Sequence, residues 1–297
     1  MSSLGDLIDE INNRSRQSAG RALPLTYRVY TVKKPGGGTR RIAEPSPALK
    51  GIQKQLAAAL RRLPAGPYAA AYEPDCSIRK NALRHRRGRY MLHADIKDFF
   101  PSVGKASVVR LAQEKYGLDD RQVAVFWNLV SYEGGLPIGA PTSPFIANRV
   151  MADIDVRLKK LRWFTTYSRY ADDLVFSAKK PFDKAFAQKV ERVLRSEGFK
   201  LNGKKTYFMH NRREVTGLIL TDKGWMSVGT GYKKRLKKDI YDLLTKNKGN
   251  RQKIMGRFAH LRQIEPTYAK VIFDKYVPFD RIKFFGRKLA RAFDYRR

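Results

Sequence analysis

Two adjacent acids between strand-type runs constrain this chain more than any other feature. Thr165 to Tyr170 and Leu174 to Ser177 are rich in Tyr, Val and Phe, and they are joined through Ala171-Asp172-Asp173, which favours a turn. The pattern predicts a β-hairpin with two carboxylates at its tip. Alone, an Asp-Asp pair is ordinary turn chemistry, because Asp side chains bond readily to nearby backbone. A further strand-like run, Arg89 to Asp95, ends on a third acid and shifts that balance. Three carboxylates on strand tips suit two divalent cations that clamp the attacking and leaving oxygens of an in-line phosphoryl displacement. Mg2+ fits such a site because it is hard and bridges substrate phosphates; Mn2+ is the expected substitute.

Charge points to the partner. Lys and Arg number 61 against 27 Asp and Glu, a formal net charge of +34. Such a density repels itself unless phosphates neutralise it. A membrane surface is the competing polyanion. No apolar run approaches spanning length, however, and the basic stretches are interleaved with Tyr, Phe and Trp, which favours nucleic acid. At 42% hydrophobic residues the chain can bury a core. The lone Cys76 excludes an intrachain disulfide, and Met1 to Glu10 lacks a hydrophobic signal core, so a cytoplasmic location is expected. The four histidines have no metal-ligand spacing, so no zinc site is expected.

In chain order, Leu4 to Ile11 reads as an amphipathic helix docked on the body. Tyr27 to Val32 is a strand, followed by Lys33-Lys34-Pro35-Gly36-Gly37-Gly38-Thr39-Arg40-Arg41-Ile42. That hairpin is either a solvated turn or, beside the carboxylates, a finger whose cations offset charge on a triphosphate. Ala48 to Leu63 is a helix, Tyr68 to Arg79 is irregular, and Asn81 to Arg89 is a basic helical piece. Phe99 and Phe100 are core, or one of them walls a sugar pocket. Ser102 or Ser107 is expected to cap a helix ending near Tyr116. Leu118 to Tyr132 is helical, and the loop from Gly134 to Pro144 allows close backbone approach to a base pair. The helix Phe145 to Leu161 is expected beneath the sheet. Phe182 to Gly198 is a helix with Gly198 as its stop, and Phe199 to Met209 is strand, basic turn and strand. Glu214 to Leu220 is one more strand. From Gly224 onward three basic helices follow, marked by Tyr232, Leu236, Ile240 and Leu243, by Ile254, Phe258 and Leu261, and by Tyr268, Ile272 and Tyr276. A basic helix face is usually just solvated; at +34 overall, phosphate tracking is the better reading.

Four blocks in this order resemble the fingers and palm of reverse transcriptases. They are Ala94-Asp95-Ile96-Lys97-Asp98-Phe99-Phe100, Leu136 to Pro144, Tyr170-Ala171-Asp172-Asp173, and Asn202-Gly203-Lys204-Lys205-Thr206. With Gly38 to Ile42 they cover roughly residues 25 to 220. The chain most resembles bacterial retron reverse transcriptases, on its compact length, on Asn81-Ala82-Leu83-Arg84-His85, and on Val215-Thr216-Gly217. The resemblance implies an α+β right-hand polymerase: fingers, a palm of antiparallel sheet backed by helices, and a helical thumb. Residues 1–220 would form the catalytic fingers and palm, and residues 221–297 the basic RNA-recognition thumb. It implies that Asp95, Asp172 and Asp173 ligate the metals and that Lys205 donates a proton to pyrophosphate. Lys33, Lys34 and Arg40 would reach the nucleotide, Phe100 would exclude a ribose 2′-hydroxyl, and Ile138 and Gly139 would meet the base pair. Ile138 departs from the Gln often found there, which bears on fidelity or processivity. Asn81, His85, Val215, Thr216 and Gly217, with Lys233, Lys234, Lys237 and Lys238, would serve RNA binding.

Family members copy part of a structured noncoding RNA into single-stranded DNA from a guanosine 2′-hydroxyl, leaving a branched RNA–DNA product. Many act beside a toxic effector in anti-phage defence. Two other readings stay open. One is a different stand-alone bacterial reverse transcriptase, defence-associated or derived from a group II intron. The other is a non-catalytic RNA-binding scaffold, which the intact acids disfavour.

Overall fold

The computed structural model describes residues 3–17, 25–34, 37–210, 213–221 and 225–276. Its elements begin with α1 (Leu4–Gln17), β1 (Tyr27–Lys33), β2 (Thr39–Pro45), α2 (Pro47–Leu60), α3 (Ile78–Arg84), β3 (Tyr90–Asp95) and α4 (Phe99–Ser102). Then come α5 (Lys105–Tyr116), α6 (Asp120–Val130), α7 (Ser143–Lys160), β4 (Thr166–Tyr170), β5 (Asp173–Ala178), α8 (Lys184–Arg195) and β6 (Tyr207–Met209). The last are β7 (Arg213–Val215), β8 (Leu218–Leu220), β9 (Met226–Ser227), α9 (Thr230–Lys246), α10 (Arg251–Ile264) and α11 (Pro266–Tyr276). Pro35 and Gly36 of the expected finger tip, Gly224, and residues 277–297 of the basic tail lie outside the described residues. The chain forms two compact units, Met1–Ser77 with Gly88–Asn211, and Ile78–Arg87 with Arg212–Arg297.

The first unit is built on an antiparallel sheet in the order β4-β5-β3-β6. Register makes Leu92 and Phe176 partners, and likewise Ala94 and Leu174. These residues share one face by the two-residue period of a strand, and all four are buried in the helical core. Beneath lies α7, which packs against α2, α4, α5, α8 and β4. Pro144 in its first turn needs no N–H partner there, and Arg157, Lys159 and Lys160 suit the negative end of the helix dipole. A capping box between Asp119 and Gln122 opens α6. The ribbon β1-β2 projects Lys33, Lys34 and Arg40 into solvent.

Several local expectations need correction. Neither Ser102 nor Ser107 caps α5: Gly104 holds the cap position, and the Ser102 hydroxyl donates to the Lys97 carbonyl at 3.2 Å. Asp183 caps α8, which ends at Arg195; Gly198, at φ +84, lies three residues beyond it in the closing turn. The basic helical piece starts earlier and stops at Arg84. Gly88 then passes so close to β5 that a Cβ there would sit 2.5 Å from that of Ser177.

In the second unit α3 packs against all three strands of the antiparallel sheet β7-β8-β9. The single strand expected over Glu214 to Leu220 is a hairpin. Thr216 at φ 48 and Gly217 at φ 80 form its two-residue turn, the left-handed pair that matches strand twist. Helices α9, α10 and α11 pack on one another through Leu236, Ile240, Leu243, Ile254, Phe258, Leu261 and Ile272, all buried. Among the described residues no helix is long and apolar enough to cross a membrane.

Candidate active site

The hairpin tip is positioned from below. Tyr170 and Asp173 form the last pair of β4 and β5, leaving Ala171-Asp172 as a two-residue turn with Ala171 at φ 59. The Ala171 carbonyl accepts from Arg169 Nη1 at 3.2 Å. Arg169 is fully buried and pairs with Asp155 on α7, Nη2 to Oδ2 at 2.9 Å and Nε to both oxygens at 3.0 and 3.1 Å. Its Nη1 also donates to Asn148 Oδ1 at 2.9 Å. The Tyr167 hydroxyl donates to Asp155 at 2.6 Å; burial first, then the Asp155 charge, pushes that phenol well above its ordinary range and keeps it a donor. A buried charge pair of this kind is tolerated only when fully hydrogen-bonded, and this one is.

The third acid arrives on the neighbouring strand. Asp95 ends β3 directly opposite Asp173, and the Ile96 N–H donates to the Asp172 carbonyl at 2.9 Å. Asp95 is buried. Its Oδ1 accepts from Asn202 Nδ2 at 3.1 Å and its Oδ2 from Lys205 Nζ at 2.7 Å. Burial pushes the Asp172 carboxyl up, Asp95 adds to that, and Lys205 and Arg40 oppose it. Desolvation, then the charges of Asp172 and Asp95, push Asp173 up to about 6, with Lys205 pulling the other way. The bond to Asp95 holds the Lys205 ammonium above its ordinary range, helped by all three acids.

As the side chains stand, no three carboxylate, imidazole or thiol groups among the described residues are gathered closely enough to hold a cation. The donor set nonetheless fits a hard divalent ion. Three carboxylates repel one another at one sheet end, and oxygen ligands of this charge are what such an ion takes.

Around the acids, Arg40 is exposed, whereas its neighbour Arg41 is committed to Glu133 and the Tyr132 ring. Phe100 is half-buried, its ring 5.3 Å from Phe99. Its carbonyl accepts from the Leu136 N–H at 3.2 Å, which ties the proline-punctuated loop to it. That loop is also stapled to the finger ribbon, since the Ile138 carbonyl accepts from the Ala43 N–H at 2.8 Å. Gly139, at φ +121, has no room for a side chain: a Cβ would lie 2.9 Å from the Ala43 carbonyl oxygen. Gly139→Ala is therefore expected to destabilise by about 1–3 kcal/mol, through backbone strain and overlap. Denaturant unfolding checks this, and an unchanged midpoint would refute it.

The residues expected to serve RNA binding gather in the second unit. Asn81 lies on α3 and His85 in the turn directly after it, and both are buried, as is Val215. Any contribution of theirs to recognition runs through how α3 seats on the hairpin. Thr216 Oγ1 donates to the Ile78 carbonyl at 3.4 Å, and Gly217 is exposed. Lys233 pairs with Glu265 and, like Lys237, lies over the Tyr268 ring, at 4.3 and 5.4 Å respectively. Lys234 and Lys238 face solvent.

Sequence reasoning missed Asn202, Asp155 and Arg169. Asn202 stands inside a block already singled out, so its proximity to Lys205 was the available signal. The buried pair gave none, because its members sit fourteen residues apart on different elements.

Residues 32–222 match the family described as reverse transcriptase (RNA-dependent DNA polymerase). The chain is similar to the retron Ec86 reverse transcriptase of Escherichia coli, 34% identical over 221 residues, covering 70% of this chain and 66% of that one. It is also similar to the retron Ec83 reverse transcriptase of Escherichia coli, 31% identical over 271 residues, covering 84% and 86%. The chain thus spans just under two thirds of the first relative and most of the second. Among solved structures, telomerase from Candida albicans, in complex with a fragment of telomeric RNA, aligns with a TM-score of 0.52 at 12% identity. The alignment covers 86% of this chain and 55% of that one, a likeness of fold alone.

Proposed function

Because the chain belongs to the reverse transcriptase family, and within it to the retron group, we propose that it is an RNA-directed DNA polymerase acting on its own structured noncoding RNA. The observation that carries this reading is the meeting of Asp95, Asp172 and Asp173 at one end of a sheet, with Lys205 and Arg40 as the cations whose charge reaches them.

In this reading the three acids hold Mg2+, which when bound would activate the attacking hydroxyl and steady the departing pyrophosphate. Lys205, released from Asp95, donates its proton to the leaving oxygen. Arg40, Lys33 and Lys34 neutralise the triphosphate of the deoxynucleotide. The backbone of Ile138 and Gly139 offers a flat surface to the new base pair, and Phe100 closes the sugar side. Phe100→Ala should raise ribonucleotide incorporation about 10-fold or more, the scale of steric discrimination in a fitted pocket. Competition between ribo- and deoxynucleotides is the measurement, and an unchanged preference would make Phe100 plain core.

The finer parts of the reading are the guanosine 2′-hydroxyl primer, the branched RNA–DNA product, a cytoplasmic location, and a toxic effector in anti-phage defence. RNA choice would belong to the second unit, with Lys234 and Lys238 on phosphates and the β7–β8 turn near the RNA. The test is to incubate the purified protein with the structured RNA encoded beside its gene, deoxynucleotides and Mg2+. DNA that stays joined to RNA until a 2′–5′ debranching enzyme is added supports the proposal; unattached DNA, or none, refutes the retron-type reaction.

A further inference from the structure

Tyr72 lies in a segment without helix or strand, yet its backbone is closely determined. It is a non-glycine residue at φ 67, a left-handed conformation that persists only when the surroundings impose it. They do so from both sides. The Ala70 N–H donates to the Arg169 carbonyl at 2.8 Å, and Asn148 Nδ2 donates to the Ala71 carbonyl at 2.9 Å. Beyond Tyr72, Glu73 accepts from Asn148 at 3.0 Å and from Arg149 at 2.9 Å. Tyr72 is thus clamped to α7 and β4, the elements that carry the Asp155–Arg169 pair beneath the acidic tip.

What this clamp presents is a tyrosine still 45% exposed. Strain imposed by a packed surround usually serves a site rather than the core. The Tyr72 ring lies 6.3 Å from that of Phe100 at 49°. Its hydroxyl stands where burial, then Asp172 and Tyr170, raise its proton affinity and Arg40 lowers it. The side chain therefore lies against Phe100 and within electrostatic reach of Asp172 and Arg40. At neutral pH its hydroxyl keeps its proton and can donate.

We propose that Tyr72 contacts the incoming nucleotide, its ring continuing the Phe100 wall along the sugar and its hydroxyl donating to the triphosphate beside Arg40. This deepens the polymerase reading and rests on it.

The experiment uses the full chain on a primed RNA template with Mg2+, comparing wild type with Tyr72→Phe and Tyr72→Gly. Kinetics give kcat and KM for a deoxynucleotide and the preference over ribonucleotides, while gel shift gives template–primer affinity. Glycine accepts a positive φ without strain, so the second variant removes the ring and spares the backbone. Tyr72→Phe is expected to raise KM about 5-fold, the scale of one lost hydrogen bond, with kcat and template affinity unchanged. Tyr72→Gly is expected to raise KM about 10-fold or more and to weaken sugar discrimination. Should Tyr72→Gly fail to fold, Tyr72→Phe decides alone. Unchanged KM in both folded variants overturns the proposal, as does a loss confined to template–primer affinity. A wild-type protein that extends no primer would instead overturn the polymerase reading itself.

Discussion

Asp172→Asn and Asp173→Asn are each expected to reduce DNA synthesis by about 1,000-fold or more while leaving RNA affinity near that of wild type. An amide keeps the size and one oxygen but removes the charge, and a two-cation site depends on that charge for several kcal/mol of transition-state stabilisation. The basic surface that would hold RNA is untouched. Stability supplies a second readout with a definite sign. Asp173 has its folded pKa raised from 3.8 to about 6, so the folded protein binds that proton more tightly than the unfolded chain. Above pH 6 the ionised group therefore opposes folding, and the penalty fades as pH falls towards 4. In chelator-treated buffer at pH 7.5, Asp173→Asn should melt no lower than wild type, and its advantage should shrink on acidification. Asp95→Asn should lose synthesis as well, but not gain stability, because it gives up the pair with Lys205. Near-normal synthesis by any of the three would remove that residue from the proposed cation site. A drop in melting temperature for Asp173→Asn at pH 7.5 would contradict the repulsion argument.

What could be read from the sequence was whatever a period or a local residue preference specifies. The apolar spacing of Leu236, Ile240 and Leu243 gives α9 and its inner face, and the Tyr, Val and Phe runs give β4 and β5 within a residue or two. Order along the chain then sufficed for the fold class, since the family blocks fall on these elements. Backbone conformation was not legible. Nothing in Glu214 to Leu220 announces a turn strongly enough to split a strand, because Thr216 is itself a strand former that the hairpin forces to φ 48. Tyr72 was invisible for the same reason. Long-range pairing was equally hidden. Lys233 reads as one more cation in a basic run, and only the fold brings Glu265 and Tyr268 to it. Asn81 and His85 were legible as a motif but not as buried residues, because the surrounding basic side chains suggest a solvated helix.

The second large effect is expected away from the acids, at Asp155. Asp155→Ala removes the counter-ion of a guanidinium with no access to solvent and the acceptor of the Tyr167 hydroxyl. Breaking one member of a buried pair costs about 3–5 kcal/mol, because the orphaned charge must be hydrated or expelled. In a chain of this size that lowers the melting temperature by about 10 °C. Asp155→Asn, which keeps an acceptor, should lose less. The effect should also reach chemistry. Arg169 holds the Ala171 carbonyl, and its backbone accepts from Ala70, so its displacement loosens the acidic turn and the Tyr72 segment together. DNA synthesis measured well below the melting temperature should therefore fall further than the unfolded fraction explains. A double variant, Asp155→Leu with Arg169→Met, separates the two consequences. Without a buried charge it should recover much of the lost stability. Without the Arg169 bond to the turn it should remain slow. Full recovery of both would show that the pair only fills the core. Recovery of stability alone would show that α7 aligns the acids through the buried bonds that Arg169 makes to Asp155 and Asn148.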